Sequence, residues 1–180
     1  LLAVSLFHHF EELRMNRLHR VGMVSVLAAS AAVISALAIS QNAGGPPTPE
    51  AQAKSAIETR QGLFKVIGSQ MGPIGGMLRN QREFDAALVA RNAARIQTLS
   101  EIIPEMFTND TRQFTTVKTS ALDGIWNSAA DFKTKADVLN KAAAAAVVAA
   151  KTGDKGATMK ASADVGKACG GCHDNYRAKP

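Results

Sequence analysis

Between Ile125 and Ala150 the apolar residues Ile125, Ala129, Phe132, Ala136, Leu139, Ala143, Val147 and Ala150 recur at intervals of four and three. A repeat close to 3.5 residues keeps one stripe of a helix turned inward along its whole length. It is the spacing of helices packed antiparallel in a bundle. A chain with this segment must find other helical faces to cover it. Three more stretches offer them. From Thr48-Pro49-Glu50, with Thr as N-cap and Pro at the first helical position, a helix carries Ala53, Ala56, Ile57, Leu63, Phe64, Ile67 and Met71 inward. Gly72-Pro73 and Gly75-Gly76 are expected to kink or end it. A second helix runs from about Phe84 to Ile103, with Phe84, Leu88, Ile96, Leu99 and Ile103 inward and Pro104 closing it. Residues 105–119, rich in threonine, read as a loop. Thr152-Gly153-Asp154 is a tight connection with Gly153 at the helix C-terminus. The last helix then turns Ala157, Ala161, Val165, Ala168, Cys172 and Tyr176 inward. With no strand pattern anywhere, the fold class is all-α, an antiparallel four-helix bundle.

That last helix carries the chemistry. Cys169-Gly170-Gly171-Cys172-His173 holds both cysteines of the chain and one of its four histidines. C-x-x-C-H is the pattern of covalent c-type haem attachment, with each thiol forming a thioether and the adjacent His offering a ring nitrogen to iron. On a helix the three residues lie at i, i+3 and i+4 and project to one face. The two glycines leave room for a porphyrin against the backbone. A thioredoxin-like pair would follow a strand, and none is near. A structural zinc site needs four ligands, and the chain beyond residue 43 has no second Cys/His pair. A disulfide across three helical residues is strained.

The other histidines, His8, His9 and His19, lie in a stretch that reads as a targeting segment. Met15-Asn16-Arg17-Leu18-His19-Arg20 is basic, Val21 to Ile39 is apolar, and Ala36-Leu37-Ala38 offers a small-x-small cleavage site. Residues 1–43 are thus expected to be upstream sequence and a removed signal peptide. Residues 44–49 are then a flexible lead-in, and 50–180 the folded domain. The apolar run is also long enough to cross a bilayer, so an uncleaved anchor is the alternative. After cleavage no membrane attachment and a periplasmic location are expected, which agrees with haem attachment outside the inner membrane. Removing residues 1–43 takes three basic and two acidic residues from 21 and 15, leaving 18 − 13 = +5. That charge can steer acidic partners. No basic patch interleaved with aromatics points to nucleic acid.

The C-terminal motif on the last of four helices resembles the class II c-type cytochromes, and among them the cytochrome c′ family. Thr59-Arg60-Gln61 followed by Leu63-Phe64, then Phe84-Asp85-Ala86-Ala87, Ile125-Trp126-Asn127-Ser128-Ala129-Ala130-Asp131-Phe132-Lys133 and Cys172-His173-Asp174-Asn175-Tyr176-Arg177 resemble the family's segments in order. The resemblance implies one haem c, held through Cys169 and Cys172, with His173 as axial ligand. It implies that Arg60 and Gln61 hydrogen-bond the propionates near the solvent edge, a task that suits the planar guanidinium. It places Arg177 beside the proximal imidazole. Low-spin members carry an iron-binding methionine four residues after the matching Arg. Here that position is Phe64, which cannot coordinate, and Met71 lies about 10 Å further along the helix axis.

The expectation is therefore a five-coordinate, high-spin iron under an apolar pocket capped by Phe64. It would bind NO, and less readily CO, and carry electrons by cycling between ferrous and ferric states. The partners are a diatomic gas, a redox protein and, in keeping with the family, a possible second copy. Simple low-spin electron transfer is the alternative. A peroxidase-type enzyme is third, since no distal histidine remains to serve as acid or base.

Overall fold

The computed structural model describes residues 45–179, so the proposed leader at 1–43 lies outside the described residues. Four long helices form the domain, α1 (Pro49–Leu78), α2 (Ala86–Glu101), α5 (Ala129–Lys151) and α6 (Lys155–Tyr176). Two single turns, α3 (Ile103–Met106) and α4 (Gly124–Asn127), flank the long connection between α2 and α5. The helices form an antiparallel four-helix bundle, in which α5 packs on α2 and α6, and α1 packs on the same two helices.

The helix starts follow local chemistry. Thr48 Oγ1 accepts the Ala51 N–H at 3.2 Å, Asp85 Oδ1 the Leu88 N–H at 2.9 Å, and Asp154 Oδ1 the Ala157 N–H at 2.7 Å. Each satisfies a backbone donor that the helix itself leaves free. The end of α5 is also as expected, with Gly153 at φ 76° just beyond it.

Three boundaries differ from the sequence reading. Helix α1 runs through Gly72-Pro73 without ending. Pro73 removes one intrahelical hydrogen bond, a loss of about 3 kcal/mol. The turn beyond it buries Ile74 and Met77, both 2% exposed or less, and that burial holds the helix on course. The stop comes at Asn80, at φ 55°, where Asn80 N–H donates to Met77 O and Gln81 N–H to Gly76 O at 2.8 Å. This is a Schellman ending with asparagine in the place glycine usually takes. Pro104 does not close α2, which ends at Glu101; it opens α3. The stripe from Ile125 to Ala150 is broken at Ser128, whose φ of −131° and ψ of 49° separate α4 from α5. Ala129 consequently faces solvent, while Ile125, Phe132, Ala136, Leu139, Ala143 and Ala150 are buried as the repeat predicts.

The core joins Ile67, Ile74 and Met77 of α1 to Val89, Ala93 and Ile96 of α2, the small-residue stripe of α5, and Val165 and Ala168 of α6. Alanines at the α5 interfaces let the helices approach closely. Two amides cross between helices. Asn92 Nδ2 donates to Gln70 O at 3.0 Å, and Asn140 Nδ2 to Gln97 O at 2.9 Å.

Candidate functional site: a haem cleft between the first and last helices

The end of the bundle that carries Cys169, Cys172 and His173 is open. A cleft of about 900 Å³ separates α1 from α6 there, at the upper end of the ~300–1,000 Å³ typical of cofactor pockets. Both cysteines and His173 line it, as do Arg60, Gln61, Phe64 and Arg177, so the fold gathers every residue the sequence singled out. The rest of the wall is mainly apolar and includes Ile57, Ile67, Ile103, Phe132 and Leu139. Among the described residues lining the cleft none is aspartate or glutamate, whereas Lys65 and Lys135 are both present.

The donor set fits a covalently held haem. Both thiols are free and half-buried. Burial pushes both thiol pKa values up. A Cβ added at Gly170 or Gly171 would meet nothing within 4 Å, so the face between the cysteines is clear for a flat ligand. His173 is half-buried, and its pKa is lowered by burial and then by the nearby Arg177 charge, with Asp174 opposing. The imidazole is thereby kept neutral, the form that binds iron.

The side of the cleft next to the C-terminal end of α6 is fixed by a strap. Leu122 N–H donates to Tyr176 O at 3.1 Å and Ala178 N–H to Ser120 O at 2.8 Å, pairing Ala121 with Arg177. Residues 119–121 therefore run along the end of α6 and close one side of the cleft. Arg177 is exposed there, and its own N–H caps α6 by donating to His173 O at 3.1 Å.

Arg60 departs from expectation. It does not stand at a solvent edge but is buried, 4% exposed. Its Nε donates to Met106 O at 2.7 Å, one terminal nitrogen to Thr111 Oγ1 at 2.8 Å, and the other to Asn109 O at 2.6 Å. The guanidinium also lies 4.6 Å from the centre of the Phe107 ring. Burial lowers its pKa, and the Asp110 charge opposes that shift. Three of the five guanidinium N–H groups are engaged, leaving one on each terminal nitrogen. Arg60 thus fastens the 106–111 segment to α1, a role that sequence reading missed. Gln61 is exposed and donates to Lys118 O at 3.1 Å, tying the same long connection to α1 further along.

Phe64 is 38% exposed and faces Phe107, with ring centroids 6.3 Å apart. Its position relative to His173 follows from the helix register. A methyl placed on Gly166 would lie 3.7 Å from Met71 Cε, so Met71 packs opposite Gly166. Seven residues back along α1 is Phe64, and seven residues on along antiparallel α6 is His173. That register puts position 64, rather than Met71, at the level of His173 along the bundle.

A second pair at the site was also missed. Tyr176, four residues after Cys172, is buried against the cleft and donates its hydroxyl to Asp131 Oδ2 at 2.5 Å. That hydrogen bond, with burial and the carboxylate charge, pushes the Tyr176 pKa up to about 12. A group whose folded pKa is raised contributes stability below its unfolded value, which is lost as pH rises through the folded one. Stability is therefore expected to fall between pH ~10, the ordinary tyrosine value, and about 12. In Asp131→Asn that fall should be much smaller, because without the carboxylate the folded pKa moves back toward the unfolded value. Denaturant unfolding at stepped pH reads both curves. Identical curves for the two proteins would show that the carboxylate does not hold the phenol proton.

Comparison with known proteins agrees with this geometry. The family model described as Cytochrome C′ matches residues 55–177. The chain belongs to the cytochrome c′ family. Among its relatives is cytochrome c′ of Rubrivivax gelatinosus, 36% identical over 124 residues, covering 69% of this chain and 95% of that one. Cytochrome c-554 of Cereibacter sphaeroides is 33% identical over 129 residues, covering 71% and 84%. Of solved structures, cytochrome c prime from Shewanella frigidimarina matches with a TM-score of 0.64 at 38% identity, covering 71% of this chain and 97% of that one. A nitric oxide complex of a variant of cytochrome c prime from Alcaligenes xylosoxidans matches with a TM-score of 0.62 at 30% identity, over the same shares. As in this family, the cofactor is haem c, covalently bound through Cys169 and Cys172 on α6.

Proposed function

We propose that this chain is an exported haem protein whose iron is five-coordinate and high-spin, with His173 as its single protein ligand and an open site for NO or CO. The observation that carries this reading is Phe64. Counted from the packing of Met71 against Gly166, it falls level with His173, and Met71, the nearest cleft-lining thioether, is two helical turns away. Phe64, being apolar, offers no hydrogen bond to bound O₂, which favours NO and CO instead. Nitric oxide complexes among the solved relatives support the same ligand class.

Within this reading the haem supplies the redox change and the gas-binding position; the chain supplies the surroundings. Cys169 and Cys172 fix the cofactor to α6. His173, kept neutral by burial and Arg177, binds the iron, and Arg177 holds positive charge beside that face. The two unengaged N–H groups of Arg60, with Gln61, take the propionates at the α1 side. Ferrous–ferric cycling makes the protein an electron carrier in the periplasm. A redox protein is its partner, and a second copy of the chain a further one.

The visible spectrum of ferric, ferrous, and CO- or NO-treated protein tests the proposal. High-spin spectra that change on adding gas are expected. A low-spin spectrum in both oxidation states would return the protein to simple electron transfer and remove the role given to Phe64. In Phe64→Ala, CO association is expected to quicken by about tenfold or more, because a barrier lowered by ~1.4 kcal/mol already gives that factor. Flash photolysis measures it, and unchanged rates would show that the ring does not cap the iron.

A further inference from the structure

Tyr176 has properties that neither haem attachment nor gas binding uses. It is the single tyrosine of the chain. Its ring is buried edge-on to Phe132 at 5.2 Å between centroids, and it lines the cleft on the same face of α6 as Cys172. Its hydroxyl, in contrast, reaches the exposed carboxylate of Asp131. An oxidisable ring beside a haem, with a base already hydrogen-bonded to its proton, is the arrangement that lets electron and proton leave together. Phenol oxidation without such a base would create a charged radical inside an apolar wall, where desolvation opposes it.

We propose that Tyr176 and Asp131 form a redox-active pair that donates one electron to the haem when a hydroperoxide has oxidised it. Hydrogen peroxide takes two electrons and two protons to give two waters. Both electrons are drawn from the haem; the Tyr176 ring returns one, so the haem remains one electron short and holds the second oxidising equivalent. The phenol O–H bond breaks, its proton forms a new O–H bond on Asp131, and a neutral tyrosyl radical faces a neutral carboxylic acid. Asp131, being exposed, then exchanges that proton with solvent. The pair diverts oxidising equivalents from the thioether links and from Phe64, into a ring close to the protein surface.

The inference rests on the open iron site proposed above, since peroxide must reach the metal. Ferric holoprotein mixed with hydrogen peroxide and rapidly frozen is expected to show an electron paramagnetic resonance signal with tyrosyl ring-proton structure. With one tyrosine in the chain the assignment is unambiguous. Tyr176→Phe, which keeps the buried ring, should abolish the signal while its ferric spectrum matches the parent. Asp131→Asn, which keeps an acceptor oxygen but no base, should lower the radical yield severalfold. A high-spin ferric spectrum with no tyrosyl signal, or with a tryptophanyl signal in its place, overturns this inference alone. A low-spin ferric spectrum overturns it together with the open-site reading. An undiminished yield in Asp131→Asn overturns the proton transfer.

Discussion

Replacing Cys169 and Cys172 together by alanine abolishes covalent haem: after denaturation in acidified organic solvent, all porphyrin is expected in the organic phase and none with the polypeptide. The reason is local. The two thiols are the chain's only cysteines, and both line the one cleft that also presents His173. No other side chain of the chain can form a thioether. Each single variant should retain one link and remain coloured after denaturation, with a shifted pyridine haemochrome spectrum. Because α6 is helical through the motif and nothing crowds Gly170 or Gly171, alanine at both positions leaves the helix intact. Porphyrin that stayed with the double variant through denaturation would remove the basis of the site.

Arg60→Ala is expected to lower stability by about 3 kcal/mol, because it takes charged donors from three oxygens in a buried setting, and such bonds are each worth ~1.5–3 kcal/mol before relaxation. For a domain of this size that is a loss of about 10 °C in melting temperature. The holoprotein is the form to measure. Arg60→Lys should recover only part of the loss, since an ammonium cannot span Met106 O, Thr111 Oγ1 and Asn109 O as a planar fork does. Thr111→Val, which removes one of the three acceptors, should cost about 1 kcal/mol. If Arg60→Ala and the parent melted together, the guanidinium would not be fastening the 106–111 segment. The same variant frees Phe107, which packs on Phe64, so its CO kinetics should move toward those of Phe64→Ala.

These two residues mark how far the site could be read in advance. The cysteines and His173 needed no tertiary information, because their chemistry is written within five consecutive positions and a helix alone aligns them. Arg60 was recognisable as an anomaly, a cation in an apolar stripe. Its partners lie 46 to 51 residues away, in a threonine-rich connection with no period to place them. Tyr176 carried a visible signal, its spacing of four from Cys172. Asp131 did not, since it lies 45 residues away on another helix. Phe64 falls between these cases. Its inability to bind iron is plain from its chemistry, while its place level with His173 depends on the packing of Met71 against Gly166.

By itself the sequence determined that this is a bundle of four helices with haem c on the last, because periodicity and the C-x-x-C-H spacing act within a turn or two of helix. It also determined the start of α1, where Thr48 caps a backbone donor three residues on. The tertiary structure decided where the helices stop or break. Proline 73 is carried through because Ile74 and Met77 are buried beyond it, and Ser128 interrupts a stripe that the spacing alone runs straight through. It also decided what encloses the haem cleft, since the strap at 119–121 and the Arg60 clamp join residues far apart in the chain. Such contacts depend on how whole helices pack, and local propensity carries no record of that.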